Sequence, residues 1–271
     1  MVKQVMVCML DTSSVLFGDV VSNYTLMLIM GMGVSFVWMI ARAEASERVR
    51  RLDVCIVALV GAVVIGRAGH VMFNWAFFVD RTDSIWRLDA EGGLLWQGCL
   101  LGALVGGWMM AKVRGVSVAS LLGDASLIVP WLAWCGWLAC DAAACAYGEA
   151  VERLSDYPAW QTWIAPDIFG IEQPRFATQR LGVYIAVGAG ISILMLYGVF
   201  RRRSKPAPWL FWLAVVAIAV GNLGIGFLRG DYALSVADLR VGQWLDALIS
   251  VFGVLMLVMG RYTGSNRHGS R

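Results

Sequence analysis

The chain has 271 residues, of which 59% are hydrophobic and 15% are charged, and its mean hydropathy is +0.69. Soluble domains carry about 25% charged residues, so this composition excludes a protein that meets water over most of its surface. The net charge of +3 is too small to indicate a nucleic-acid partner. We therefore expect an all-α, polytopic membrane protein.

Seven stretches are long and apolar enough to cross a bilayer, which requires about 20 mostly apolar residues. Each one ends at charged or turn-forming residues. The predicted spans are residues 20–41, 55–78, 93–111, 118–142, 181–200, 209–228 and 244–260. They predict a single transmembrane domain over residues 1–271, with a polar, aromatic segment at 148–175 as a periplasmic cap.

The orientation follows from Lys and Arg, which concentrate in the short loops on the cytoplasmic side. Basic residues follow the first, third, fifth and last spans: Arg42, Arg48, Arg50, Arg51, Lys112, Arg114, Arg201, Arg202, Arg203, Lys205, Arg261, Arg267 and Arg271. A seven-span count places all four basic segments on one side, whereas an even count divides them. The pattern predicts a multi-pass protein of the bacterial inner membrane, with a periplasmic N-terminus and a cytoplasmic C-terminus.

The six cysteines lie almost entirely in apolar segments, where cysteine usually behaves as a small hydrophobic residue. Cys140 and Cys145 flank the end of the fourth span. A disulfide or a metal site there is the weaker alternative, because one C-x4-C pair without a nearby histidine is little evidence. We expect no metal site.

Arg67 is the most informative charge, because it stands about ten residues from either end of the second predicted span. That depth is too great for easy snorkelling, so we expect pairing with a carboxylate or a lipid phosphate. His70, nearby, is predicted to be a hydrogen-bonded core residue.

Five fragments occur in order along the chain. They are N-Y-T-L-M at 23–27, G-R-A-G-H-V-M-F at 66–73, E-G-G-L-L-W-Q-G-C-L-L-G at 91–102, R-F-A-T-Q at 175–179 and V-G-Q-W-L at 241–245. They resemble, in the same order, W-Y-G-L-M, G-R-I-G-Y-V-L-F, E-G-G-M-S-F-H-G-G-L-L-G, R-H-P-T-Q and M-G-Q-W-L of the prolipoprotein diacylglyceryl transferases. The resemblance covers most of the chain from residue 20 to 260.

The resemblance implies a fold of seven spans in the orientation given above. Enzymes of this family move a diacylglyceryl group from phosphatidylglycerol onto the cysteine of a lipoprotein. Membrane phospholipid is therefore the expected partner and bound lipid, and no other cofactor is expected.

The sequence departs from the family pattern at the reacting groups. The family's catalytic histidine falls on Gln97, which cannot serve as a base near neutral pH. An arginine and an asparagine of the family signature fall on Trp137 and Ala143. A further arginine and a glutamate of the sixth span fall on Asn222 and Gly226.

No catalytic residue is assigned; the family positions are Tyr24, Gln97, Trp137, Ala143, Asn222 and Gly226. The predicted lipid-binding residues are Tyr24, Arg67, Gln97 and Arg229. The sequence favours a non-catalytic homologue that binds lipid or serves as an accessory or structural subunit of a larger membrane complex, with other membrane subunits as partners. The alternative is an active diacylglyceryl transferase or a related lipid transferase.

Overall fold

The computed structural model describes residues 13–16, 19–88, 93–167, 169–201 and 208–265. Within these ranges the chain is mostly helical, as expected. The main helices are α1 (Asn23–Ala41), α2 (Arg48–Phe73), α3 (Trp96–Arg114), α4 (Val118–Ala125), α5 (Ile128–Ala142), α6 (Thr178–Arg201), α7 (Trp209–Gly226) and α8 (Val241–Ser265). A short helix at Trp75–Phe78 follows α2.

Three small antiparallel hairpins in the described part of the chain depart from a purely α-helical fold. Their strands are β1 (Ser13–Leu16) with β2 (Asp19–Ser22), β3 (Thr162–Pro166) with β4 (Glu172–Phe176), and β5 (Ser235–Val236) with β6 (Leu239–Arg240). Ala237 and Asp238 join the last pair with positive φ angles of 50° and 61°. Two such residues in a row match the right-handed twist of the flanking strands.

Five helical segments of the described chain are long and apolar enough to cross a membrane: Asn23–Ala41, Ala45–Phe73, Thr178–Val199, Trp209–Gly226 and Val241–Met259. The bent pair of α4 and α5 makes six if it is one span. The predicted third span forms the 19-residue helix α3 but is not among them. Glycines, Gln97 and two basic residues in its last turn make that helix less apolar.

The second span begins earlier than predicted, because α2 starts at Arg48 rather than near Cys55. The predicted start lies after residues 48–51 because their charges interrupt the apolar segment. In the fold Arg51 is only 4% exposed, and its guanidinium is 2.6 Å from a carboxylate oxygen of Asp124. The ion pair lets Arg51 remain helical and buried, while Arg48 and Val49 on the same turn are exposed.

The predicted fourth span is broken rather than continuous. α4 and α5 meet at an angle of 44°. Pro130 lies in the first turn of α5 and has no N–H to donate to the preceding turn. Ser126, at the bend, is fully buried and donates its hydroxyl to the Gly123 carbonyl at 2.8 Å.

The helices α1, α3 and α6 form predicted spans one, three and five. Their C-terminal ends lie at the same end of the bundle. Asp124 lies between the side chains of Arg42 and Arg51 and accepts a hydrogen bond from the Tyr197 hydroxyl at 3.3 Å. The side chain of Arg114 at the end of α3 pairs with Asp53 at 2.8 Å. Basic residues 202, 203, 205, 267 and 271 lie outside the described residues.

The opposite end holds the β3–β4 hairpin, the segment predicted as a cap. Gly148 pairs with Arg229, just beyond α7, and Ala150 pairs with Arg175 in β4. The Thr178 hydroxyl, at the start of α6, donates to the Ala146 carbonyl at 2.6 Å. The segment therefore connects α5, α6 and the end of α7.

Cys140 and Cys145 form a disulfide at this end, contrary to the expectation that they act as hydrophobic residues. Their α-carbons are 4.8 Å apart, within the range that a disulfide requires. α5 ends at Ala142, and Ala144 takes a left-handed conformation with φ of 50°. The turn brings the Cys145 N–H to the Cys140 carbonyl at 2.9 Å.

The centre of the bundle is α7, half of whose residues are buried against other helices. Large apolar side chains on the peripheral helices face outward; examples are Val37 (69% exposed) and Val113 (77% exposed). An apolar periphery around a central helix is what a bundle surrounded by lipid requires.

Candidate active site

The polar centre of the described fold joins the start of α3 to the start of α8. Gln97 Nε2 donates to Asp246 Oδ1 at 2.8 Å, and Trp96 Nε1 donates to the same oxygen at 3.0 Å. Gln97 is 7% exposed and Asp246 4% exposed. A carboxylate at membrane depth is costly, so its presence there is a functional signal.

The amide of Gln97 has a fixed orientation, because its nitrogen also donates to the Gly242 carbonyl at 3.3 Å. Both neighbours are acceptors, so the amide nitrogen must face them. Gln97 Oε1 is buried, and no donor of the described residues reaches it. A buried acceptor of this kind is satisfied only by a ligand that carries a donor, or by water.

Gln243 occupies the space beside Gly226, where the resemblance places a glutamate. A β-carbon on Gly226 would lie 2.6 Å from Gln243 Cγ, so no larger side chain fits there without displacing Gln243. Gln243 Nε2 donates to the Leu223 carbonyl at 3.4 Å, and its Oε1 accepts from the Arg240 N–H at 3.0 Å. The amide thereby ties the start of α8 to α7.

Two arginines share one carboxylate beside this centre. Arg229 Nε donates to Asp231 Oδ1 at 2.8 Å, and Arg240 Nη1 donates to the same oxygen at 3.1 Å. Arg229 also lies within electrostatic range of Asp246. The three charges leave one net positive charge next to the buried carboxylate.

Tyr24 and Arg67 are two further predicted lipid-binding residues, and they interact electrostatically. The Tyr24 hydroxyl lies within electrostatic range of Arg67 and Cys99. The Arg67 guanidinium is fully buried and donates to the carbonyls of Ser84 at 2.9 Å, Ile85 at 2.5 Å and Gly93 at 3.1 Å. These backbone partners were not foreseen in the sequence.

Arg67 is also one of the residues that line a groove of about 390 Å³. The other lining residues are Ala68, Val71, Met72, Trp75, Ile85 and Trp86. An apolar groove with an arginine in its lining suits an amphipathic molecule. Whether Arg67 binds lipid stays a prediction.

The remaining family positions are dispersed. The Trp137 indole lies against Gly182 of α6, where a β-carbon would overlap the ring. Ala143 directly follows the last residue of α5, and Asn222 lies half-buried in α7. Trp137 therefore fills space between α5 and α6.

A second charged group surrounds Tyr147 beneath the β3–β4 hairpin. Arg175 packs over the Tyr147 ring at 4.9 Å and pairs with Asp167 at 3.2 Å. Partial burial, with the charges of Asp231 and Asp167, raises the pKa of the Tyr147 phenol. The phenol is therefore a neutral donor at physiological pH.

A model of the prolipoprotein diacylglyceryl transferase family matches residues 15–259, which is most of the chain. The chain belongs to the prolipoprotein diacylglyceryl transferase family. The resemblance drawn from the five fragments is thereby confirmed.

Several relatives match over most of their length, and each is named phosphatidylglycerol–prolipoprotein diacylglyceryl transferase. The protein of Bacillus velezensis is 25% identical, with 88% of each chain covered. That of Methylococcus capsulatus is 26% identical, with 92% of this chain and 94% of the relative covered. That of Rhodococcus jostii is 30% identical, with 84% of this chain and 67% of the relative covered.

The predicted non-catalytic accessory subunit is therefore wrong, because the relatives of this transferase-family chain are named as the enzyme itself. The prediction considered each replaced family residue separately, without its neighbours in the fold. It missed Asp246, which contacts Gln97, and the pairing of Arg229 with Arg240 through Asp231. One signal was available: Asp246 is an acidic residue inside an apolar span, directly after the fragment at 241–245.

Proposed function

We propose that this chain transfers a diacylglyceryl group from phosphatidylglycerol to the cysteine thiol of a prolipoprotein. The observation that carries the proposal is the family match over residues 15–259, with relatives named for this activity. The buried polar centre at Gln97 and Asp246 supports it, because it lies where the resemblance places the family's catalytic residue.

The reaction makes a carbon–sulfur bond and breaks a carbon–oxygen bond, so that glycerol phosphate leaves with the bonding electrons. The departing phosphate requires a cation. The pair of Arg229 and Arg240 supplies it, since Asp231 neutralises only one of the two guanidinium groups. Arginine suits this role because its planar group can hold a phosphate with two hydrogen bonds.

Tyr24, Arg67, Gln97 and Arg229 are the proposed lipid-binding residues. The apolar groove lined by Arg67 supports a site for lipid. Gln97 Oε1, which has no donor among the described residues, supports a site for a hydroxyl or thiol donor. The reaction uses phospholipid as its substrate and requires no further cofactor in this proposal.

We place the protein in the bacterial inner membrane, with seven spans that include α3, a periplasmic N-terminus and a cytoplasmic C-terminus. The basic ends of α1 to α3 lie together at one end of the bundle. The Cys140–Cys145 disulfide lies at the other end, and disulfides persist in oxidising compartments such as the periplasm. The hairpin segment at 148–175 then forms a periplasmic cap.

The test is transfer of radiolabelled diacylglyceryl from phosphatidylglycerol micelles to a prolipoprotein peptide by the purified chain. Removing the cation in Arg229→Gln should lower the rate by about 10²–10³, the usual loss for one electrostatic donor. Arg87→Gln is the matched control, because Arg87 is exposed. An inactive purified chain that also fails to complement a transferase-depleted bacterium contradicts the proposal.

A further inference from the structure

The Gln97–Asp246 pair is the one place in the described chain where a buried carboxylate lies against a family catalytic position. Both hydrogen bonds that the structure shows to this carboxylate reach Oδ1, from Gln97 and Trp96. Neither donor is charged. Arg229 acts on the Asp246 carboxylate electrostatically and donates a hydrogen bond to Asp231.

Gln97 cannot take a proton from a thiol, because an amide is not a base near neutral pH. Its buried Oε1 nevertheless lacks a donor within the described fold. A thiol bound next to this pair can donate to Gln97 Oε1 or to the carboxylate. The amide therefore suits the binding of the thiol, and the carboxylate suits its deprotonation.

We propose that Asp246 is the catalytic base of this chain, and that Gln97 positions both Asp246 and the substrate thiol. The inference rests on the proposed transferase function. In the step, the Asp246 carboxylate accepts the proton of the peptide cysteine. The thiolate then forms a bond to the diacylglyceryl carbon that carries the phosphate ester, and the bond between that carbon and the phosphate oxygen breaks. The proton passes from Asp246 to the departing glycerol phosphate.

The chain thus separates two roles that one imidazole combines in the family. A histidine can both contact the thiol and take its proton. Here α3 supplies the contact through Gln97, and α8 supplies the base 149 residues further along the chain. Arg229 interacts electrostatically with the Asp246 carboxylate. It can therefore stabilise the negative charge that develops on the departing phosphate.

The experiment measures transfer from phosphatidylglycerol micelles to a prolipoprotein peptide with one cysteine. Asp246→Asn should lower kcat by at least about 100-fold, the usual contribution of a general base, with little change in the peptide KM. Asp246→Glu should keep part of the activity. The double variant Gln97→His with Asp246→Asn should regain activity, because histidine then stands at the family position. Asp53→Asn is the control, since Asp53 pairs with Arg114 at the basic end of the bundle.

Two outcomes overturn the inference: wild-type kcat in Asp246→Asn, or a double variant as inactive as Asp246→Asn although both are inserted and thermally stable. A second readout does not depend on turnover. The S–H stretching band of the bound peptide should disappear with the wild-type chain and persist with Asp246→Asn. If the wild-type chain transfers no diacylglyceryl group, the proposed function fails. The S–H band then tests by itself whether Asp246 deprotonates the bound thiol.

Discussion

Gly61 and Gly102 hold α2 and α3 in backbone contact. A β-carbon built on either glycine would overlap the carbonyl oxygen of the other. The packing is reciprocal, so neither helix can accept even alanine at this crossing without moving away. Small residues of this kind allow close helix approach in membranes, where the hydrophobic effect does not drive helices together.

Gly102→Ala should therefore lower the stability of the bundle by about 1–3 kcal/mol, the usual cost of overpacking. Gly107→Ala on the same helix is the control, because its β-carbon would meet Ala58 at an ordinary 3.4 Å. Thermal unfolding in mild detergent measures both variants. Equal melting temperatures for the two would show that the helices separate at no cost.

Asp124 pairs with the side chains of Arg42 and Arg51 at the basic end of the bundle. It pairs with Arg51 at 2.6 Å, and the two residues are 8% and 4% exposed. Asp124→Asn should destabilise the fold by about 3–5 kcal/mol, because the buried Arg51 guanidinium loses its close counter-charge and keeps only the longer contact with Glu47 at 3.6 Å.

The matched control for Asp124 is Asp53→Asn. Asp53 pairs with Arg114, whose side chain is 48% exposed. Water and salt screen an exposed pair, so a change of at most about 1 kcal/mol is expected. Denaturant titration of the two variants compares the sites, and similar losses would refute the assigned role of burial.

Arg67 supports the loop that leads into α3. Its guanidinium donates to three backbone carbonyls, at Ser84, Ile85 and Gly93. Arg67→Leu should lower the melting temperature, because each buried carbonyl that loses its donor costs about 1–3 kcal/mol. Arg87→Leu, at an exposed position of the same loop, should leave it unchanged.

The lipid content of purified Arg67→Leu tests the second expectation for this residue. Loss of co-purified phospholipid is the expected result if the groove lined by Arg67 holds lipid. Wild-type stability together with unchanged lipid content would count against both roles.

The Cys140–Cys145 disulfide should make the melting temperature of the wild-type chain sensitive to reductant. Five residue positions separate the two cysteines, and closing so short a loop contributes about 2 kcal/mol in the chain-entropy account. The double variant Cys140→Ser with Cys145→Ser should have the melting temperature of the wild-type chain in reductant, and reductant should not change it. Cys55→Ala, at a free cysteine, is the control.

Sidedness can be measured with the same cysteines. A membrane-impermeant maleimide added to spheroplasts should label Cys140 and Cys145 only after reduction. Labelling from the cytoplasmic side alone would reverse the proposed orientation.

The sequence by itself determined the family, the helical character of the chain and the approximate position of most spans. These depend on local apolar length and on motif order, which are readable without contacts. The prediction of span boundaries failed where a charge has a counter-charge distant in sequence. Arg51 is helical and buried because its guanidinium pairs with Asp124, 73 residues further along the chain. Only the tertiary structure joined Gln97 to Asp246, Arg229 to Arg240 through Asp231, and Cys140 to Cys145. The value of a buried polar residue depends on its partner, and the fold alone decides which partner that is.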